Sequence, residues 1–542
     1  MLSKEYTPTK QTVSARVIKP TDDHVPPMYR TFHLDAANVT EALQDELPFW
    51  NCRNPVLVNA PPGKGKTYWL EHTLIPDAIR TNQNVLVLSN RIALSFQQKI
   101  DFLRAFDASV AEKYTAKGLI VEENFGSVKI LTYHRLPAFM KEKDDAKERW
   151  LKRLKYVVAD EAHIFTADAL FNEHCSQYLR LVTSCFQQAI RIYLTATDMD
   201  VLYPLQQQED KNFLDYYRLV KNEPSRTFLR YVMQPDYSYL NLNWIDDLDE
   251  ITPKILANER EKWLIFVDSK QVGKKLQQEL GKEKALFMDS GSKETDEYNK
   301  LLMECKFDAQ CLIATAVLDC GINIHDTKVR NVAILSDDRT SFIQMLGRKR
   351  VTSGEKVNLY ICRPSLEKLN QRRNRYEQAM SYHRRLNNAN SSAQLQRITQ
   401  ELWREEDMIR KQFFLSNGVA VSDWLCKFML QKRIDFYNRI LDGKSTFDDE
   451  VLNWLGLQQE EPKSDPREDL LQFCQKHVDS PMDDEQVEFF RGLVLKAEKQ
   501  AGISEPQPTR SLKQRALNRR LQQLNLPFFL SSGEWILCAG EN

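Results

Sequence analysis

Ala60-Pro61-Pro62-Gly63-Lys64-Gly65-Lys66-Thr67 follows the apolar run 56–58 and precedes a stretch with helical patterning. Strand, glycine-rich turn and helix in that order form a cradle for phosphate. Gly63 and Gly65 let backbone N–H groups turn inward around phosphate oxygens, and the helix presents its positive N-terminus. Lys66 has the length to reach β and γ phosphates, and Thr67 offers a hydroxyl to Mg²⁺. The usual loop of this kind opens with glycine, and Ala60 takes that place. A glycine- and proline-rich surface turn is the plainer reading of the eight residues alone. The strand before them and the helix after them argue against it.

Outward from this loop the same rhythm repeats. Short aliphatic runs at 56–58, 85–88, 128–131, 156–158 and 192–194 alternate with longer helical stretches. After a gap come 264–267, 285–288, 312–314, 332–335 and 357–361. Continuous apolar runs separated by helices read as parallel strands covered on both faces. Two sets of five predict two α/β layers side by side, over 49–222 and 223–365. Residues 1–48 read as an irregular N-terminal arm. Past Pro364 the strand signals stop, and 366–542 reads as a mainly helical C-terminal region, with helices expected over 369–385 and 395–414 and a break at Gly418. Within it, 448–488 carries 13 Asp/Glu against 3 Lys/Arg, a balance of −10 that reads as a solvated linker or irregular helices.

Asp160-Glu161-Ala162-His163 closes the run 156–158. An Asp at the carboxyl end of a parallel strand is where a Mg²⁺ carboxylate belongs, and a Glu beside it can orient and deprotonate an attacking water. Two acids after an apolar run are by themselves an ordinary turn. With the phosphate loop about 100 residues upstream they become a candidate site.

Composition removes several classes. The 542 residues balance 75 Lys+Arg against 75 Asp+Glu, so net charge announces no partner, though a local basic groove is compatible with it. The longest apolar runs fall far short of the ~20 residues of a membrane span. The first residues lack the apolar core of a signal peptide. The 10 cysteines include no Cys-x-x-Cys pair, which points to reduced thiols in a cytoplasmic protein and away from zinc or iron–sulfur sites.

With both elements on one chain, the sequence resembles a superfamily 2 helicase of the DEAD/DEAH-box type. Ser89-Asn90-Arg91-Ile92-Ala93-Leu94 looks like motif Ia and Leu131-Thr132-Tyr133-His134 like motif Ib, both of which hold a nucleic-acid backbone. Thr195-Ala196-Thr197 is similar to motif III, and Phe266-Val267-Asp268-Ser269 to motif IV. Ile313-Ala314-Thr315 through Gly321-Ile322-Asn323-Ile324 matches the spacing of motif V, with Asn323 where Asp is usual. Gln344-Met345-Leu346-Gly347-Arg348-Lys349-Arg350 looks like motif VI, one residue shorter than its common ending. On a helix one residue turns a side chain by about 100°, so Arg348 carries over more directly than Arg350. The short ending resembles helicases of viruses and mobile elements and points toward DNA over RNA.

The resemblance implies two RecA-like lobes clamping ATP–Mg²⁺. Lys66, Thr67, Asp160 and Glu161 come from the first lobe, with Thr67 and Asp160 on the metal. Gln344, Arg348 and Arg350 come from the second, the arginines acting as fingers on the γ-phosphate. Arg91, Thr132, Thr315 and Gly321 would touch nucleic acid. A double-strand translocase that separates no strands shares these motifs. A binding module with a degenerate site is a further alternative, against which the intact Lys66, Asp160, Glu161 and Arg348 argue. The C-terminal region offers a surface for a partner protein. In it Arg372, Arg373, Arg375, Arg384 and Arg385 with Tyr376 and Tyr382 form a candidate phosphate-and-stacking surface, and the five cations of 510–520 a candidate phosphate contact or an internal match for the acidic segment. There Leu512, Ala516, Arg519 and Arg520 fall near one stripe, so its faces are not cleanly split.

Overall fold

The computed structural model describes residues 13–16, 28–89, 122–217, 226–315, 322–352, 354–457, 466–482, 484–501, 513–524, 526–531 and 535–539. They fall into two compact units, residues 1–456 and 457–542.

The first unit holds two large sheets, one mixed and one wholly parallel. One contains β1 (Val13–Arg16), β2 (Met28–Leu34), β3 (Val56–Asn59), β4 (Asn84–Ser89), β5 (Asn124–Phe125), β6 (Val128–Thr132), β7 (Leu154–Ala159), β8 (Ile190–Thr195) and β9 (Thr227–Met233). Its order is β1-β2-β9-β3-β8-β7-β4-β6-β5, parallel from β2 to β6 and antiparallel at each edge. The other contains β10 (Leu240–Ile245), β11 (Lys262–Phe266), β12 (Ala285–Met288), β13 (Cys311–Ala314), β14 (Val329–Ile334) and β15 (Val357–Cys362), all parallel in the order β10-β15-β14-β11-β13-β12. The central strands are buried throughout, as the continuous apolar runs require.

All ten expected strands form. Five more escape the sequence pattern because their runs are interrupted or short. In β2, inside the expected irregular arm, Arg30 and Thr31 break the apolar pattern; β2 pairs with β9, which follows residue 222 and joins the first sheet. The edge strand β10 alternates Leu240, Asn241, Leu242 and Asn243, of which only Asn241 is exposed. The C-terminal region is not free of strands either. The helix expected over 395–414 stops at Leu402, and Phe414–Ser416 pairs with Val419–Val421 around Asn417 and Gly418, both left-handed at φ 51° and 80°. Asn-Gly supplies two such residues at low steric cost, which makes a tight hairpin. The long helix Trp424–Leu441 follows, capped by Asp423. Its Leu425 and Met429 sit in the core beneath the first sheet with Phe165 and Val182.

Most of the expected phosphate-and-stacking surface is consumed internally. Arg372 pairs with Asp268 and Asp337, Arg375 with Glu406 and Arg385 with Glu401. Tyr376 stacks on Tyr437, and the Tyr382 hydroxyl donates to Glu405.

A buried ionic network fixes the helix Leu202–Tyr217 to the first sheet. Glu209 accepts from Arg191 Nε and Nη2 at 2.8 and 3.1 Å and from the Tyr193 hydroxyl, and Arg226 Nη2 lies 3.4 Å away. All four side chains are fully buried or nearly so. Glu209→Gln leaves two guanidinium charges short of their carboxylate, so about 3–5 kcal/mol of stability should be lost. A urea midpoint equal to the parent's would refute that role.

In the second unit the helices Pro466–Lys476, Asp484–Ala501 and Gln514–Gln523 and the hairpin Phe528–Leu530/Leu537–Ala539 enclose one core. The acidic stretch 448–488 thus contributes regular helices, its residues 458–465 lying outside the described ones. Along the basic helix Leu517 and Leu521 face this core, and Arg515 and Arg519 are exposed, so its faces are split after all. Arg520 pairs at 2.8 Å with Glu498, a residue outside 448–488. Arg510 lies outside the described residues.

Candidate functional site

The loop between β3 and the helix beginning at Lys66 turns on two left-handed glycines, Gly63 at φ 83° and Gly65 at φ 79°. Side chains rarely adopt that region, so these two positions need glycine. The Ala60 amide donates to the Thr195 carbonyl at 3.0 Å, anchoring the loop to the end of β8. Lys66 Nζ donates to the carbonyls of Ala60 at 2.6 Å and Pro61 at 3.3 Å, which centres the ammonium in the loop. Burial pushes its pKa down, Arg350 and Arg348 push the same way, and Glu161 and Asp160 oppose them. Lys64 reaches the Ala37 carbonyl at 3.4 Å, and its own carbonyl accepts from the Val39 amide at 2.9 Å. The segment 37–39, part of the expected arm, therefore braces the loop.

β7 delivers Asp160 and Glu161 beside this cradle. The Asp160 amide donates to the Leu88 carbonyl, and its Oδ1 accepts from the Glu161 amide at 3.0 Å. Glu161 is left-handed at φ 51°, a conformation that costs a non-glycine residue energy and persists only where surroundings impose it. Here the Tyr133 hydroxyl holds the Asp160 carbonyl at 2.8 Å, and Ala162 donates to Leu194 at 2.8 Å. Glu161 Oε2 lies 3.3 Å from His163 Nδ1, which also lies 3.3 Å from the Thr195 hydroxyl. Burial would raise the Glu161 carboxyl, but His163, Lys66 and Arg348 outweigh it and hold the pKa at about 2. The sequence places Tyr133 within a nucleic-acid motif. Its ring is instead fully buried, and its hydroxyl supports the acidic turn.

The second sheet supplies the arginines. The helix Arg339–Arg348 ends at Arg348, and Lys349 is extended at φ −74°, ψ 111°. The helical rotation expected to separate Arg350 from Arg348 therefore does not apply. In extended chain, residues two apart share a face. Arg348 Nη2 donates to Gln344 Oε1 at 2.8 Å, and Arg350 Nε to Asn323 Oδ1 at 2.9 Å. Lys349, between them, pairs with Glu355 at 2.5 Å. Burial, reinforced by Arg348, pushes the Arg350 pKa down to about 10. The lobes meet closely here. A Cβ on Gly347 would lie 2.5 Å from Pro62 Cγ, and one on Gly63 would lie 3.4 Å from Arg350 Nη1. Gly347 thus serves close approach of the motif VI helix to the phosphate loop.

Two buried polar atoms at this junction lack a hydrogen-bond partner: Gln344 Nε2 and Arg348 Nε. Such atoms are costly to bury unless something completes them, and a phosphate group has the matching acceptors. Among the described residues no group of three or more His, Cys, Asp or Glu is placed to cage a metal. One carboxylate, Asp160, and one hydroxyl, Thr67, suit Mg²⁺, which keeps waters and phosphate oxygens as its other ligands.

Thr132 ends β6, and Thr315 follows β13 with its amide on the Met288 carbonyl at 3.1 Å; both are half-buried. Arg91 and Gly321 lie outside the described residues.

Two family models match the chain: the type III restriction enzyme res subunit over residues 31–199 and the helicase conserved C-terminal domain over 245–350. No curated protein matches it. Among solved structures, the DUF1998 helicase MrfA bound to DNA is 15% identical, with 60% of this chain and 46% of that chain covered at TM-score 0.43. This chain thus spans under half the length of MrfA. S. cerevisiae Dbp5 bound to RNA and ADP BeF3 is 17% identical over 58% of this chain and 80% of that one, at TM-score 0.38. The DEAD-box helicase Mss116 bound to ssRNA and UDP-BeF is 13% identical, covering 79% and 91%, at TM-score 0.43.

Proposed function

This chain carries the paired domains of a superfamily 2 helicase core, and from that premise we propose that it is a Mg²⁺- and ATP-dependent motor on nucleic acid, with DNA favoured over RNA. The observation that carries the reading is the meeting of Arg348 and Arg350 with the phosphate loop and Glu161 across the two sheets. Phosphoryl transfer asks a protein mainly for position and charge. The backbone from Ala60 to Gly65 would cradle the phosphates, Pro61, Pro62 and Lys64 shaping the turn, and Lys66 would neutralise them. Bound Mg²⁺, on Thr67 and Asp160, would screen the phosphate oxygens. Glu161, as the acidic partner in a DEAH-type box, would orient the attacking water. Gln344, Arg348 and Arg350 would answer the charge that develops on the γ-phosphate. Because the two halves lie on different lobes, turnover would require closure, and a grip on nucleic acid by Arg91, Thr132, Thr315 and Gly321 would change with each cycle.

The nine described cysteines are all free thiols, which supports a reducing, cytoplasmic setting. No helix among the described residues is long and apolar enough to cross a membrane. Residues 366–542 offer the surface for a partner protein. The deciding measurement is ATP hydrolysis with Mg²⁺ alone, with poly(dT) and with poly(U). Stimulation by poly(dT) above poly(U) is expected; ATP turnover that neither strand changes would refute a motor. Displacement of a labelled strand from a partial duplex would then distinguish unwinding from translocation alone.

A further inference from the structure

The helix Trp424–Leu441 lies outside both family matches, yet it touches both lobes. Its first half is embedded in the first lobe through Leu425 and Met429. Its second half is bound to the second lobe. There Arg433 pairs with Asp338, and the Tyr437 hydroxyl donates to Asp337 at 3.2 Å. Phe436 and Phe342 pack on the same Trp454 ring, with centroids 5.8 and 5.6 Å away.

The crossover falls on two adjacent residues. Lys432 Nζ reaches Asp200 Oδ1 at 3.2 Å and the Met199 carbonyl at 3.3 Å, in the first lobe. Arg433 takes Asp338 in the second. Each carboxylate has a mechanical position. Asp200 lies five residues after Thr195, whose carbonyl holds the Ala60 amide and whose hydroxyl faces His163. Asp338 caps the helix Arg339–Arg348, accepting from the Ser341 amide at 3.0 Å, and that helix ends in Arg348. Asp200 also accepts from Thr340 Oγ1 in the first turn of the same helix, at 3.4 Å.

We propose that Lys432 and Arg433 are positioning residues that lock the segment following Thr197 to the capped end of the motif VI helix, so that Arg348 is aimed at the nucleotide by a helix outside the motor core. The proposal rests on the ATPase reading above. The lever is geometric. Arg348 lies at one end of a ten-residue helix, and Asp338 and Thr340 hold the other. A helix pinned at its first turn carries its last turn as a rigid extension, so loosening the pin costs alignment where the finger acts. Nucleotide binding at the phosphate loop needs no such alignment.

The test uses the full chain with Lys432→Met, Lys432→Arg and Asp200→Asn, and the double variant Lys432→Met with Asp200→Asn. Lys432→Met keeps the stem and removes only the charge of a half-exposed side chain. The expected result is a fall of about tenfold in kcat at saturating poly(dT), a scale typical of coupling through packed networks, with KM for ATP within about twofold. Amide exchange over 339–348 should quicken while the thermal midpoint moves by no more than about 2 °C. Lys432→Arg should restore turnover, and the double variant should be no slower than either single one. Unchanged kcat in Lys432→Met overturns the proposal. So does slower turnover with unchanged exchange over 339–348. Should the parent hydrolyse no ATP, the ATPase reading falls, and the exchange measurement alone decides whether this pin exists.

Discussion

Glu161→Gln should slow ATP turnover by about 10²–10⁴-fold, the range for loss of a group that directs a proton-transferring water, and leave ATP binding within about twofold. The carboxyl is held at about 2 although burial opposes ionisation. Its unfolded value is ~4.3, so its pKa is depressed by folding. The sign follows: its contribution to stability is present above the unfolded value and lost only as pH falls toward 2. The depressed pKa favours the carboxylate form of Glu161, which is placed to orient an attacking water. Glutamine keeps the shape, and the left-handed backbone is imposed by Tyr133 and Ala162 rather than by the charge. What it removes is the anion facing Lys66, His163 and Arg348. Single-turnover hydrolysis and equilibrium binding of a fluorescent ATP analogue separate the two effects. Turnover at the parent rate would remove Glu161 from the site.

The first half of the candidate site is legible because the residues proposed for its chemistry also mark the fold. Lys66 and Asp160 each follow a buried parallel strand, and such strands announce themselves as unbroken apolar runs. The hidden parts have other causes. Arg230 interrupts β9 because it pairs with Asp198 at 2.6 Å, so a structural ion pair looks like a loop signal. Tyr133 carries no pattern that distinguishes a ring supporting Asp160 from one touching nucleic acid. No sequence feature announces the left-handed Glu161 or the network around Glu209, since both depend on contacts far along the chain. The motif VI ending departs from its helical expectation for a local reason. The helix stops at Arg348, and Ile324, which takes the Arg348 carbonyl and the Arg350 amide at 2.8 and 3.0 Å, draws the chain out after it.

That geometry sets the second large effect. Arg348→Ala and Arg350→Ala should each lower kcat by about 10³-fold or more, the scale of a finger on a transferring phosphoryl group, with a much smaller change in KM. Arg348 is oriented by Gln344, and Arg350 by Asn323 at the place where the family usually has Asp. Both bear on Lys66 electrostatically, and Arg350 approaches Gly63 itself. Lys349 tests the alternation. Its ammonium is engaged by Glu355 on the other side, so Lys349→Ala should lower stability and leave turnover per folded molecule close to the parent's. If the chain continued as a helix through this point, Arg350 would turn away and Arg350→Ala would be nearly silent. Equal loss from Arg348→Ala and Arg350→Ala, with Lys349→Ala unaffected in kcat, is the signature of two fingers on one face. A fully active Arg348→Ala would refute the proposed cleft, in which that side chain is buried with Nε unpartnered.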